Sequence, residues 1–129
     1  MRDGEVAVIV PVKRAADGTR VLGLPKGHPD GDETAAQAAI REVREETGLE
    51  TTLIEQLGEV GYVYERKGRT VSKRVAFFLF EYSSGDVADH DHEIEEAYWL
   101  PLEQAARELT YEGEREMVLR AMSRTSADR

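Results

Sequence analysis

Three glutamates, Glu42, Glu45 and Glu46, stand three and four residues apart in a stretch that reads as helical. On a helix such positions project from one face, about 135° from the apolar stripe of the same segment. Carboxylates gathered there repel one another, and each like-charge pair one turn apart costs a few tenths of a kcal/mol. Arg41 and Arg44 flank them and offset part of that cost. One reading is a solvated charged face. The other is a site for a hard divalent cation such as Mg²⁺ or Mn²⁺, which takes oxygen ligands, keeps several waters and bridges to phosphate oxygens. The second reading resolves a conflict. With 17 Lys plus Arg against 26 Asp plus Glu the net charge is −9, yet an acidic protein can hold a polyphosphate when cations lie between the two negative partners.

The surrounding residues weigh between these readings. Gly27 is followed after five residues by Glu33, then after seven by Arg41-Glu42-Val43-Arg44-Glu45-Glu46-Thr47-Gly48-Leu49. At ordinary residue frequencies this combination arises by chance on the order of 10⁻⁹ times per starting position. It resembles, at every defined position, the signature of the Nudix hydrolases, and the order of elements around it resembles the Nudix fold along most of the chain. The resemblance implies cleavage of a nucleoside diphosphate linked to another moiety, by attack of water on phosphorus. It implies that Glu42, Glu45 and Glu46 bind metal, with the Gly27 carbonyl as a further ligand, because a residue without Cβ lets the backbone come close. Glu33 and Arg41 match positions that buttress the loop–helix–loop by ion pairing. Glu42 is either a metal ligand or the general base. Glu93, six residues before Trp99, is either a further metal ligand or base, or an ordinary loop residue. His90 and His92 beside it read as solvated loop residues.

The substrate side carries a second, looser resemblance. Pro25-Lys26-Gly27-His28 is similar to the variant found in diadenosine polyphosphate hydrolases and diphosphoinositol polyphosphate phosphatases. Gly58 to Tyr64, Lys73 to Leu79 and Trp99 to Ala105 with Leu109-Thr110-Tyr111 are similar to bacterial diadenosine tetraphosphate hydrolases. By that resemblance Lys26, His28 and Lys73 meet phosphate, and Tyr62, Tyr64 and Tyr111 offer flat faces to a base, where stacking contributes about 1–3 kcal/mol. A MutT-type nucleoside triphosphatase is the nearest alternative. An inositol pyrophosphate phosphatase or a non-catalytic binding module ranks behind it. Two departures lie on this side. The first strand reads Val6-Ala7-Val8-Ile9-Val10 where the family carries glycines, and Leu22-Gly23-Leu24-Pro25 replaces a longer loop.

Positioning these residues requires a layered α/β (α+β) domain, a mixed sheet between helices. Glu5 to Lys13 is apolar on both faces and predicts a doubly buried strand. Ala16-Asp17-Gly18 predicts a turn and Thr19 to Leu24 a short returning strand. Thr34 to Thr47 predicts a helix with a Thr34–Gln37 capping box, a Gly48 stop and a face of Ala36, Ile40, Val43 and Thr47 packed on the sheet. Glu50 to Leu57, Tyr62 to Glu65 and Thr70 to Tyr82 predict strands, with a hairpin tip at Lys67-Gly68. A polar loop, a strand from Glu96 to Leu100, and helices at Pro101 to Leu109 and Gly113 to Met122 follow. Ser123 to Arg129 is expected to fray.

The 129 residues suit a single domain over 1–129. Hydrophobic residues at 40% and charged residues at 33% indicate a globular chain. Its acidity argues against nucleic-acid polymers and anionic membrane surfaces as partners, leaving a small nucleotide as the expected partner of a monomer or homodimer. The chain has no cysteine, which removes thiol nucleophiles and disulfides and fits a reducing, cytoplasmic setting. It contains neither a P-loop nor a Gly-x-Ser-x-Gly elbow.

Overall fold

The structure, a computed structural model, describes residues 1–15 and 17–127. Strand β1 (Glu5–Pro11) is followed by helix α1 (Ala35–Thr47), a long hairpin of β2 (Leu49–Arg66) and β3 (Arg69–Gly85), a single 3₁₀ turn (Val87–Asp89), strand β4 (Ile94–Pro101), and helices α2 (Leu102–Glu108) and α3 (Glu112–Ala127). This is the α+β arrangement expected. Ala16, part of the expected turn, lies outside the described residues, as do Asp128 and Arg129 of the expected frayed end. Over the rest of that segment, Ser123 to Ala127, the backbone is helical as the end of α3.

The pairing differs from a mixed sheet. β1 pairs antiparallel with β4, and β2 antiparallel with β3, as two separate two-stranded sheets. They meet near one end of β1. Met1 there donates to Phe80 O at 2.7 Å and accepts from Tyr82 N at 3.0 Å. Ala7, Val8, Ile9 and Val10 are all buried, as a strand apolar on both faces requires.

The returning strand does not form either. Only Gly23 pairs with β1, exchanging both backbone bonds with Ile9. Its neighbours spend their groups on the C-terminal segment. Leu22 N donates to Thr110 Oγ1 at 2.8 Å, Thr110 N donates to Leu22 O at 2.9 Å, and Leu24 N donates to Glu114 Oε1 at 2.8 Å. A buried backbone group needs one partner, not a particular one, so the C-terminal segment replaces a ladder.

Where two strands were expected between Glu50 and Glu65, β2 is continuous. Gly58 is absorbed as one side of a bulge in the register with β3. A side chain there would overlap Arg120, whose guanidinium donates to Leu57 O at 2.9 Å and fastens α3 to the hairpin. At the hairpin tip Lys67 and Gly68 both take positive φ, the conformation of a tight two-residue turn. Val60, Val75, Phe77 and Leu79 of the hairpin pack with Leu109, Met117 and Val118 into the principal core.

Candidate active site

Helix α1 starts as the sequence indicates. The Thr34 side chain accepts from Gln37 N, the Gln37 side chain accepts from Thr34 N, and Gly48 closes the helix in the left-handed conformation. Of the expected apolar face Thr47 is fully buried, while Ala36, Ile40 and Val43 are half-buried. Ala38, on the side that carries the glutamates, is 1% exposed. That side is therefore covered in part, with Glu42 and Glu46 half-buried and Glu45 exposed.

What lies against it includes the Lys26–Gly27 segment. A Cβ on Gly27 would overlap the Glu42 carboxyl carbon and come within 2.5 Å of Glu42 Cγ and Oε1. Lys26 N donates to Glu46 Oε2 at 2.9 Å. Glu42 adjoins Glu46, and burial, reinforced by the Glu42 charge and hydrogen bond, pushes the Glu46 carboxyl up to about 8. The Lys26 N–H and ammonium oppose that rise. Burial beside a second carboxylate disfavours the charged form of Glu46, and an added cation at this point would favour it.

Arg41 braces the surroundings. Its Nε donates to Glu33 Oε2 at 2.8 Å and its Nη2 to Glu33 Oε1 at 3.0 Å, a two-point grip. Nη2 also reaches His28 O at 3.1 Å, and Nη1 reaches Glu42 Oε1 at 2.7 Å and Glu45 Oε2 at 3.2 Å. The Arg41 bond and the Asp30 N–H hold the Glu33 carboxyl below its usual range. Asp30 N donates to Glu33 Oε1 at 2.8 Å. The loop before α1 is thus tied to the second turn of the helix through Arg41 and to the third through Glu46.

The expected ligand set is not brought together as a whole. Among the described residues, no three His, Cys, Asp or Glu side chains converge on one point. Glu42 and Glu46 stand side by side at Gly27. Glu45 is half exposed and shares the Arg41 Nη1 donor with Glu42. Glu93 is exposed. Its backbone is fixed, with its N–H donating to Asp91 Oδ1 and its carbonyl accepting from Val12 N. Asp91 N donates to Glu45 O at 3.1 Å, which docks this loop against the end of α1. His92 is exposed, and His90 Nδ1 lies 3.0 Å from Asp91 O.

The residues expected on the substrate side divide by strand alternation. Tyr62 lies opposite Lys73 in the register, and Tyr64 is on the same face as both. The Lys73 ammonium lies 5.7 Å from the Tyr64 ring centre. Its affinity for a proton is lowered, first by burial and then by Lys26 and Lys13. Lys26 Nζ stands 5.8 Å from the Tyr62 ring and 5.9 Å from the Tyr111 ring, and those two rings meet edge to face at 5.5 Å. Lys26, Lys73, Tyr62 and Tyr111 therefore form one neighbourhood. His28 lies elsewhere, beside a cleft of about 270 Å³ that Gly27, Gln56, Glu59 and Arg74 also line.

Two residues of this region escaped the sequence reading. Arg74 lines the His28 cleft because it follows Lys73 and so points to the opposite face. Glu114 is 0% exposed. It accepts from Leu24 N, from Tyr62 OH at 2.6 Å, and pairs with Lys26 Nζ at 3.1 Å. A signal was available. Glu114 occupies the i position of the apolar stripe completed by Met117, Val118 and Ala121, where a buried carboxylate needs partners.

Comparison with known proteins agrees with this geometry. The NUDIX domain family matches residues 1–121, and the chain belongs to that family. It is 38% identical over 117 residues to the protein named MutT4 of Mycobacterium tuberculosis, covering 90% of this chain and 46% of that one. It is 37% identical over 99 residues to the mouse asymmetrical bis(5'-nucleosyl)-tetraphosphatase, covering 73% of this chain and 65% of that one. The chain thus spans less than half the length of MutT4 and about two thirds of the mouse protein. Among solved structures, a Caenorhabditis elegans Ap4A hydrolase binary complex superposes with a TM-score of 0.74 at 26% identity, covering 95% of this chain and 87% of that one.

Proposed function

We propose that this chain is a divalent-metal-dependent pyrophosphohydrolase that cleaves a phosphoanhydride bond of a nucleoside diphosphate linked to another moiety, foremost a dinucleoside polyphosphate such as diadenosine tetraphosphate. The observation that carries the reading is the Glu42–Glu46 carboxyl pair pressed against Gly27. It is a set of hard oxygen donors, partly desolvated, with a glycine where any side chain would fill the space between backbone and carboxylate. Nudix hydrolases generally use divalent metal ions, and these residues fit one. Glu42 and Glu46 would hold Mg²⁺ or Mn²⁺ with the Gly27 carbonyl; Glu45 and Glu93 would join them. The chemistry such an ion supplies when bound is positive charge on the phosphate oxygens and a more acidic attacking water.

The chain's own groups do the rest. The Glu42–Glu46 pair accepts the proton of the water that attacks phosphorus, as one base shared between two carboxyls. Water oxygen bonds to phosphorus, the bridging P–O bond breaks, and its electron pair leaves on the departing phosphate. Lys26 N–H fixes Glu46 Oε2 while this happens. Lys73 meets phosphate oxygens, and Tyr111 and Tyr64 offer ring faces to a base. Arg41 and Glu33 hold the loop rather than the substrate.

The likeness to the mouse tetraphosphatase and to the Ap4A hydrolase fold supports a dinucleoside polyphosphate. A MutT-type nucleoside triphosphate substrate is the second reading. It is supported by 36% identity over 101 residues to a protein of Mycolicibacterium smegmatis named 8-oxo-(d)GTP phosphatase, of which this chain covers 30%. A panel of both substrate types with Mg²⁺ in ¹⁸O-water, with products weighed by mass spectrometry, distinguishes them. Label in a phosphate product of diadenosine tetraphosphate is expected. Turnover of triphosphates alone would overturn the first reading, and no turnover would overturn both.

A further inference from the structure

Glu114 is a charged group buried completely in a chain that already carries excess negative charge. Removing a carboxylate from water is costly unless every lone pair finds a donor. Glu114 finds three, and all belong to the neighbourhood of the site: Leu24 N, Lys26 Nζ and Tyr62 OH. Lys26 then spends a second donor on Leu24 O at 3.2 Å. The segment from Leu24 to Lys26 is therefore gripped at both ends from α3. The far side of that same segment carries Lys26 N, which donates to Glu46 Oε2, and then Gly27, against which Glu42 packs.

We infer that Glu114 is a positioning residue for the carboxylate pair: through Leu24 and Lys26 it sets where the Lys26 N–H and the Gly27 backbone stand, and so where Glu46 and Glu42 point. The inference rests on the pair being the reactive centre proposed above. It gives Lys26 a different part from Lys73. Lys26 is committed to a buried partner, whereas Lys73 has no carboxylate partner among the described residues and remains available to an anion. It also explains why Tyr62, although half-buried beside Tyr111, spends its hydroxyl inward.

The test compares Glu114→Gln and Glu114→Asp with the wild type. Gln keeps the size and can still accept from Leu24 N, but loses the ion pair. Asp keeps the charge but is one methylene short of reaching all three donors. Four quantities are measured: kcat, KM, Mn²⁺ affinity of the free protein by electron paramagnetic resonance, and hydrogen exchange at the Leu24 and Lys26 amides. For Glu114→Gln we expect kcat to fall at least tenfold, as a misplaced catalytic group causes, with KM changed less than threefold. Mn²⁺ binding weakens several-fold and both amides exchange faster. Glu114→Asp stays impaired. Unchanged kcat and Mn²⁺ affinity, equal effects on kcat and KM, or full recovery by Asp would overturn the inference. Loss of cooperative folding in both variants would also overturn it, leaving a purely structural role. A wild type that binds Mn²⁺ but turns over no nucleotide would sink the proposed reaction alone, and exchange at Lys26 together with Mn²⁺ affinity would then decide the positioning role.

Discussion

Replacing Gly27 with alanine adds one methyl group where the backbone meets the Glu42 carboxylate, proposed above as part of the reactive pair. The new Cβ would overlap the Glu42 carboxyl carbon and lie 2.5 Å from Cγ and Oε1. Ordinary carbon contacts begin near 3.5 Å, so the side chain must retreat by about 1 Å. It can do so, because its obstacle is the flexible end of a side chain and not backbone. The retreat breaks its 2.7 Å bond from Arg41 and its contact with Glu46. A displacement of about 1 Å at a catalytic group costs on the order of 10²-fold in rate, while overpacking of this kind costs about 1–3 kcal/mol in stability. Gly27→Ala should therefore fold, unfold at a modestly lower temperature, and show kcat reduced about a hundredfold on the substrate that the wild type turns over. Steady-state kinetics beside thermal unfolding measures both. A kcat within twofold of wild type would show that the close approach of Gly27 to Glu42 has no part in the chemistry.

Glu46→Gln should abolish nearly all hydrolysis, by about 10²–10⁴-fold for a lost proton acceptor, and should bring a second effect without metal. The folded protein raises this carboxyl from 4.5 to about 8, so its contribution to stability is fully present below pH 4.5 and is lost as pH climbs through 8. The loss is on the order of 5 kcal/mol at most, read as a falling urea midpoint in EDTA between pH 5 and 8; a wild-type slope no steeper than that of Glu46→Gln would contradict it. Tyr111→Ala should raise KM for dinucleoside substrates several-fold or more through lost stacking, with kcat little changed, and an unaltered KM would remove Tyr111 from the base site. Arg41→Lys gives up the two-point grip on Glu33 and the simultaneous reach to His28 O, Glu42 and Glu45. A lower urea midpoint is expected, because lysine cannot reproduce the planar fork, and an unchanged midpoint would show that the loop is held by other means.

Where the sequence could be read, the reason was local. The Thr34–Gln37 box, the Gly48 stop and the Lys67-Gly68 tip each depend on a few adjacent residues whose side chains or φ angles admit one solution. The spacing of Gly27, Glu33, Arg41, Glu42, Glu45 and Glu46 was legible through its resemblance to the Nudix signature. Thr19 to Leu24 was misread because it follows the turn signal Ala16-Asp17-Gly18, while the Leu22 and Leu24 donors are taken by Thr110 and Glu114, some ninety residues distant. The two strands expected at Glu50 to Leu57 and Tyr62 to Glu65 are one, because the register shift at Gln56/Gly58 carries the pairing with β3 through that stretch.

The sequence by itself determined the chemistry on offer: which helix carries the carboxylates, which glycine stands before it, and which basic and aromatic residues accompany them. Periodicity and short-range hydrogen bonding place the helix and its glutamates, because both act within one or two turns of chain; the glycine and the basic and aromatic residues were read from the resemblance to the Nudix family. Tertiary structure alone decided which of those groups meet. It put Glu42 against Glu46 while one Arg41 nitrogen bridged Glu42 and Glu45, turned Arg74 from Lys73, and buried Glu114 beneath Lys26. Such outcomes depend on desolvation and on charge pairing between segments far apart in the chain, and neither quantity exists until the chain has closed upon itself.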